Sequence, residues 1–438
     1  MKRKTIYGLL ALILPILAGA SAAQVIAPEK LKEVYVSLNY IKGVPMLIKT
    51  LIAAAALAFP AGLYAGQAPA KDWTIMVFLN GKNNLEGAAL KDMNEMEAVG
   101  SSDRVNIVTE LGRMAGYSSA DGDWKGARRY LVKKDADGKK ISSPILWSQE
   151  KTDMGDYTHL AEFGKWAKAA YPAKKYMLIV WNHGKGWEKY DGSGAKGISD
   201  DYETGNHITT QQLALALQEM GGADLYASDA CLMQMAEVAY EIKDHAGYIL
   251  GSEETEPADG YSYDKFLAAL SAAPELAPEQ LGRAVVDSFY EHYQGSDERY
   301  YTQSLLKASA LPGLVKAADG FAAALVSAGE RDVIKGAIYD AQWFAAPDSK
   351  DLWHFAGLVS ARTKSPAVAA AGRALQDYIT KDLVVYTRNS IHSGDSRGIA
   401  VFIPSAYNYA YERLAWAHAS GWDEFLYWYS RQPLTLSL

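Results

Sequence analysis

The stretch Tyr176-Met177-Leu178-Ile179-Val180-Trp181-Asn182-His183-Gly184 sets the architecture of this chain. An unbroken run of apolar and aromatic residues, with no polar alternation, describes a strand buried on both faces. Such strands belong to parallel sheets with helices on either side. Asn182 and Gly184 then stop it. The same arrangement recurs: Trp73–Leu79 runs into Asn80-Gly81-Lys82-Asn83-Asn84, Val105–Leu111 ends at Gly112, Asp224–Ser228 runs into Asp229-Ala230-Cys231, and Tyr248–Ser252 follows. A further strand is expected at Arg129–Val132. Between the strands lie stretches with helical spacing. Residues 85–99 carry Leu85, Ala88, Ala89, Met93, Met96 and Val99, residues 160–170 stop before Pro172, and residues 209–220 and 232–242 complete the set. Strands alternating with helices predict an α/β fold around a mostly parallel sheet.

After Glu275 the pattern becomes mainly helical, rich in Ala, Leu and Tyr. A late strand, Gly398–Ile403, precedes Pro404 and is expected to rejoin the main sheet. The chain is therefore read as 1–66, 71–275 and 276–438.

The 438 residues are 49% hydrophobic and 22% charged, a globular composition with ample material for a core. The net charge of −7 comes with no basic stripe, which argues against a nucleic-acid partner. Residues 1–66 hold two segments of secretory type: Lys2-Arg3-Lys4 before an apolar run from Ile6 to Ala18, and Lys49 before a second run from Leu51 to Leu63. Both runs are short for a membrane span. We read 1–66 as an export leader whose true translation start is Met46, with the membrane a partner only if the leader is retained. The protein is then exported: secreted, periplasmic or on the cell surface. Without the leader's seven Lys/Arg and two Glu, the charge falls to −12. An acidic exported protein attracts basic partners.

Two strand ends carry reactive side chains. In parallel sheets, function gathers beyond the carboxyl ends of the strands. His183 is at one such end, and Cys231, the single cysteine, is at another, 48 residues later. One thiol rules out an intramolecular disulfide and a thiolate-rich metal site. It is either buried and inert or used. A helix opening at Leu232 would lower the thiol pKa, and a nearby imidazole would activate it. The amides of Gly184 and Cys231 are candidate donors for an oxyanion. Asp229 reads equally as a helix cap. The remaining histidines show no metal-ligand spacing.

The order His-Gly, spacer, Asp-Ala-Cys resembles the caspase-like cysteine peptidases. Longer stretches are similar to the clostripain family: Trp73–Val77 with Asn83–Glu86, Met154-Gly155-Asp156, Trp181–Trp187, Asp229–Met233, Ser252-Glu253-Glu254, Gly260–Tyr263 and Arg397–Pro404. One departure is Gly81-Lys82, where family members often carry an acidic residue. The resemblance implies a caspase-like sheet sandwiched by helices, with Cys231 as nucleophile and His183 as base. It also implies cleavage of proteins or peptides after Arg or Lys. The pocket for that side chain needs a carboxylate, which the resemblance assigns to Asp229 first and Asp259 second. It further implies self-cleavage between the His and Cys blocks, after Lys196 or, second, Lys189. No cofactor is required. Calcium, which some relatives need, would take Asp200-Asp201 with Glu203, a cluster that otherwise reads as a solvated loop. The competing reading is a non-catalytic surface or binding protein on the same scaffold.

Overall fold

Strand β1 (Lys71–Gly81) is buried along nearly its whole length, so it occupies the middle of a sheet covered on both faces. Its neighbours are β2 (Val105–Arg113) and β5 (Ala173–Trp181), both parallel to it. The computed structural model describes residues 70–187 and 197–431. The expected leader at 1–66 and the lysines Lys189 and Lys196 lie outside them. β3 (Gly126–Leu131), β4 (Ile145–Gln149), β8 (Ala223–Asp229), β9 (Ala246–Gly251), β10 (Thr302–Lys307) and β12 (Val384–Asn389) complete a nine-stranded sheet. Its order is β12-β10-β9-β8-β5-β1-β2-β3-β4. The inner strands β9, β8, β5, β1 and β2 are parallel, and both flanks are antiparallel.

Side chains alternate across the sheet, as strand geometry requires. Met76, Phe78, Leu178, Val180 and Tyr226 enter one core, where they meet α2 (Tyr157–Ala170), α3 (Thr210–Glu219) and α4 (Ala236–Ile242). Ile75, Val77, Leu79, Met177, Ile179 and Leu225 enter the other, against α1 (Glu86–Val99), α5 (Tyr263–Ala272) and α6 (Pro278–Tyr293). Helix starts follow capping chemistry: Asp156 accepts from the Thr158 amide, and Thr209 with Gln212 forms a capping box.

Two expectations change. The mainly helical C-terminal region contributes β10 and β12 to the main sheet, antiparallel to β9 and to each other. The late strand β13 (Ala400–Phe402) pairs instead with β11 (Ser349–Asp351) in a separate two-stranded sheet. It is drawn there by α4, whose Glu237 carboxylate accepts the Phe402 amide at 2.9 Å, while Gln234 O accepts Ala400 N at 3.0 Å. The helical segment Ala308–Ala328 is long and apolar enough to cross a membrane, yet Leu311, Leu314, Ala318, Phe321 and Leu325 are buried in the first core.

Candidate active site

β5 and β8 are parallel neighbours in register, Trp181 opposite Asp229. Two residues further along each strand come His183 and Cys231, so the topology brings the imidazole and the thiol to adjacent strand ends. The approach is close: a Cβ at Gly184 would lie 2.3 Å from the Cys231 carbonyl oxygen. Only glycine fits there.

The expected helix at Leu232 does not form. α4 begins at Ala236, and residues 231–235 hydrogen-bond sideways instead, Leu232 N to Glu254 O at 3.1 Å and Gln234 N to Ser252 O at 3.0 Å. Leu232 takes φ 62°, a left-handed conformation unusual for a branched side chain. This costs about 1–3 kcal/mol and marks a turn held by its surroundings. With no helix starting at Leu232, no helix dipole lowers the thiol pKa and Asp229 caps no helix there. Burial is the largest influence on Cys231 and raises its pKa, with Glu254 and Asp229 adding to it. Burial also lowers His183, against the pull of Asp200. Both shifts favour the neutral pair, thiol and imidazole.

Each partner is hydrogen-bonded separately. The Cys231 sulfur accepts the Glu256 amide at 3.3 Å and faces the Glu256 carbonyl at 3.9 Å. The His183 Nε2 meets Asn84 Oδ1 at 2.8 Å, and its ring stacks on Tyr202, centroids 6.1 Å apart. The amides of Gly184 and Cys231 donate to no backbone carbonyl among the described residues.

An asparagine network ties these strand ends together. Asn182 Nδ2 donates to Asn80 O at 2.6 Å and its Oδ1 accepts Asp200 N at 2.7 Å, while Asn80 and Asn83 donate to Asp200 O at 3.2 and 2.9 Å. Next to it Lys82 is fully buried. Its ammonium pairs with Asp201 at 3.0 Å and Glu203 at 2.7 Å, and also donates to the Thr152 carbonyl. Asp201 further accepts the amides of Met154, Glu203 and Thr204, and Lys185 pairs with Asp200 at 2.9 Å. Each carboxylate of the acidic cluster at 200–203 is thus paired with one of the protein's own lysines. Lys82, the departure noted in the sequence, sits among oxygens of the kind that would otherwise surround a hard cation.

Asp229 lies at the end of β8 with its side chain inside the protein. Its Oδ2 accepts the Tyr263 hydroxyl at 2.8 Å and the Tyr261 amide at 3.3 Å. Gly260 presses against it: at φ 57°, a Cβ there would lie 2.8 Å from Asp229 Oδ1. Burial pushes the Asp229 carboxyl up to about 7. Two more buried carboxyls interact with it. Asp92 of α1 is fully buried, with no well-formed hydrogen bond to either oxygen among the described residues, and Glu256 holds Gln303 by one oxygen at 2.9 Å. Burial first and Asp229 second raise both well above the usual carboxyl range. The sequence gives no sign of Asp92 or Glu256, because each is one acid among many until the fold collects them. Asp259 is not in this cluster. It is half exposed on the rim, paired with Lys91 at 2.8 Å and facing His292 at 3.7 Å.

The clostripain family model matches residues 77–428. Clostripain of Hathewaya histolytica is 30% identical over 230 residues, which cover 45% of this chain and 42% of that protein, so the match spans less than half of the curated relative. Among solved structures, a secreted C11 cysteine protease of Bacteroides thetaiotaomicron in complex with an irreversible peptide inhibitor superposes with TM-score 0.61 at 19% identity, covering 81% of this chain and 99% of that one. An inactive zymogen C11 protease of Parabacteroides distasonis gives 0.59, also at 19%, covering 80% and 98%. At these identities the structures establish the shared fold.

Proposed function

The chain belongs to the clostripain family of cysteine peptidases, and from that premise we propose that it is an exported endopeptidase cutting after Arg or Lys, with Cys231 as nucleophile and His183 as general base. The observation that carries this reading is the pairing of β5 with β8. It brings His183 and Cys231 to adjacent strand ends and leaves the Gly184 and Cys231 amides without a backbone carbonyl partner among the described residues. The neutral imidazole takes the thiol proton as Sγ attacks the scissile carbonyl. The two amides receive the oxyanion. The imidazolium then protonates the leaving amine, a thioester remains, and water activated by the same imidazole releases the acid.

Asp229 would meet the substrate's cationic side chain from inside the fold. Asp259 on the rim is already paired with Lys91 and ranks below it. We propose that no divalent cation is needed, because Lys82 and Lys185 already pair with every carboxylate of the cluster at 200–203.

The self-cleavage sites Lys196 and Lys189 are also proposals. Their support is the anchoring of the segment's two ends: Lys185 N donates to Gly197 O and Gly197 N to Gly186 O, both at 2.9 Å. Trp187 packs edge-on against Phe402 and Tyr411. A cut between those anchors would leave both fragments in one fold. Denaturing gels should then show two fragments for wild type and one band for Cys231→Ala. Export is tested by sequencing the N-terminus of the secreted protein, which should start between Gln67 and Lys71.

The central test is hydrolysis of fluorogenic peptides ending in Arg, Lys or Ala. Wild type should cut the first two. Cys231→Ala and His183→Ala should each lose at least about 10³-fold with the fold intact, because the dyad works as a unit. Near-wild-type turnover by either variant sinks the assignment.

A further inference from the structure

The imidazole of His183 is held by groups outside the Cys/His pair. We propose that Asn84 is the positioning residue for His183: it fixes the tautomer that leaves Nδ1 free to take the thiol proton. This rests on the reading of His183 as general base.

The geometry is direct. Nε2 lies 2.8 Å from Asn84 Oδ1. An amide oxygen only accepts, so that bond places the proton on Nε2 and the lone pair on Nδ1. Tyr202 stacks on the ring at an interplanar angle of 11°, which limits its tilt. Neither partner is loose. Asn84 follows Asn83, whose side chain spans the turn from Asp200 O to the Leu85 amide. Tyr202 donates its amide to Lys82 O at 2.9 Å, and the Lys82 ammonium binds Asp201 and Glu203 on either side of Tyr202. The turn after β1 and the loop after β6 (Ile198–Asp201) are thus locked together by one buried lysine, and the ring sits between them. A ring free to flip would present a protonated nitrogen to the thiol part of the time.

Asn84 itself is exposed, so changing it opens no cavity in the core. Asn84→Ala should lower kcat by about 10- to 100-fold, the scale of a misaligned catalytic group, with KM within about threefold of wild type. Asn84→Asp separates positioning from mere structure. A carboxylate there stabilises the imidazolium, so the acid limb of kcat/KM should move up by about one pH unit or more. The other groups that act on the ring are Asp200, Lys185 and Tyr202, and this substitution leaves them unchanged.

The tautomer can be read without turnover. In ¹⁵N-histidine-labelled Cys231→Ala protein, His183 should be protonated on Nε2, and adding Asn84→Ala should give a mixture. This measurement stands whether or not Cys231 proves to be the nucleophile, so failure of the peptidase reading and failure of the Asn84 assignment are separable. The proposal is overturned by a proton on Nδ1, by wild-type kcat in Asn84→Ala, or by an unmoved acid limb in Asn84→Asp.

Discussion

Two groups of buried carboxylates flank the same strand ends, and the fold treats them in opposite ways. Beside His183, Asp201 and Asp200 are matched by Lys82 and Lys185, ammonium to carboxylate at 3.0 and 2.9 Å. Beside Cys231, Asp229 interacts with Asp92 and Glu256, and no lysine or arginine bonds to any of the three among the described residues. In the first group every carboxylate has a lysine partner. The second escapes repulsion only by holding protons, since burial raises every member. Charge that is balanced internally builds structure. Charge left unbalanced in the interior is costly to folding and useful for recognition, because a cationic side chain entering from a substrate would supply the missing partner.

The largest expected effect is on the balanced side. Lys82→Met leaves Asp201 buried without its cation and should destabilise the protein by about 3–5 kcal/mol, measured by denaturant unfolding. Glu203 is partly exposed and adds little. A loss under about 1 kcal/mol would show that the lysine is incidental and remove the contrast.

On the unbalanced side the order reverses. Asp229→Asn should cut kcat/KM for Arg and Lys peptides by about 100-fold or more while leaving the melting temperature unchanged or higher, since it removes an ionisable carboxyl from a crowded, buried acidic group. An equal loss on Ala peptides, or a large fall in stability, would make Asp229 a scaffold residue.

The pH dependence follows from the same cluster. A carboxyl raised to about 7 in the fold binds more protons than its unfolded counterpart between about pH 4 and pH 7. Stability from this group is present below the unfolded value and is lost as pH rises through about 7. The protein should therefore be less stable at pH 8 than at pH 5 by about 1–3 kcal/mol, and Asp229→Asn should flatten that slope. A slope that survives the substitution points to another buried pair, such as Glu253 and Asp351, whose carboxyls are also raised. The smallest effect is a null one: exhaustive chelation should leave peptide hydrolysis unchanged. Activity lost to chelator and restored by calcium would show that Lys82 and Lys185 do not stand in for a metal.

The sequence by itself determined the α/β class and the inner strands. Runs such as Tyr176–Trp181 and Trp73–Leu79 are buried on both faces, and continuous apolar composition is a local, readable property. It also placed His183 and Cys231 at strand ends, because turn residues punctuate those runs. β10 and β12 were not legible: Thr302–Lys307 and Val384–Asn389 are short, polar-rich and far apart, and they become strands by pairing with each other and with β9. The helix expected at Leu232 failed for a similar reason. Glu254 and Ser252 offer carbonyls that capture the 232–234 amides, a competition no local propensity records. Asn84 on the imidazole, Lys82 among the oxygens at 200–203, and Asp92 with Glu256 beside Asp229 were settled only by tertiary structure. Each is a contact across long sequence separation, and the energy of a buried charge depends on what surrounds it, which spacing along the chain does not state.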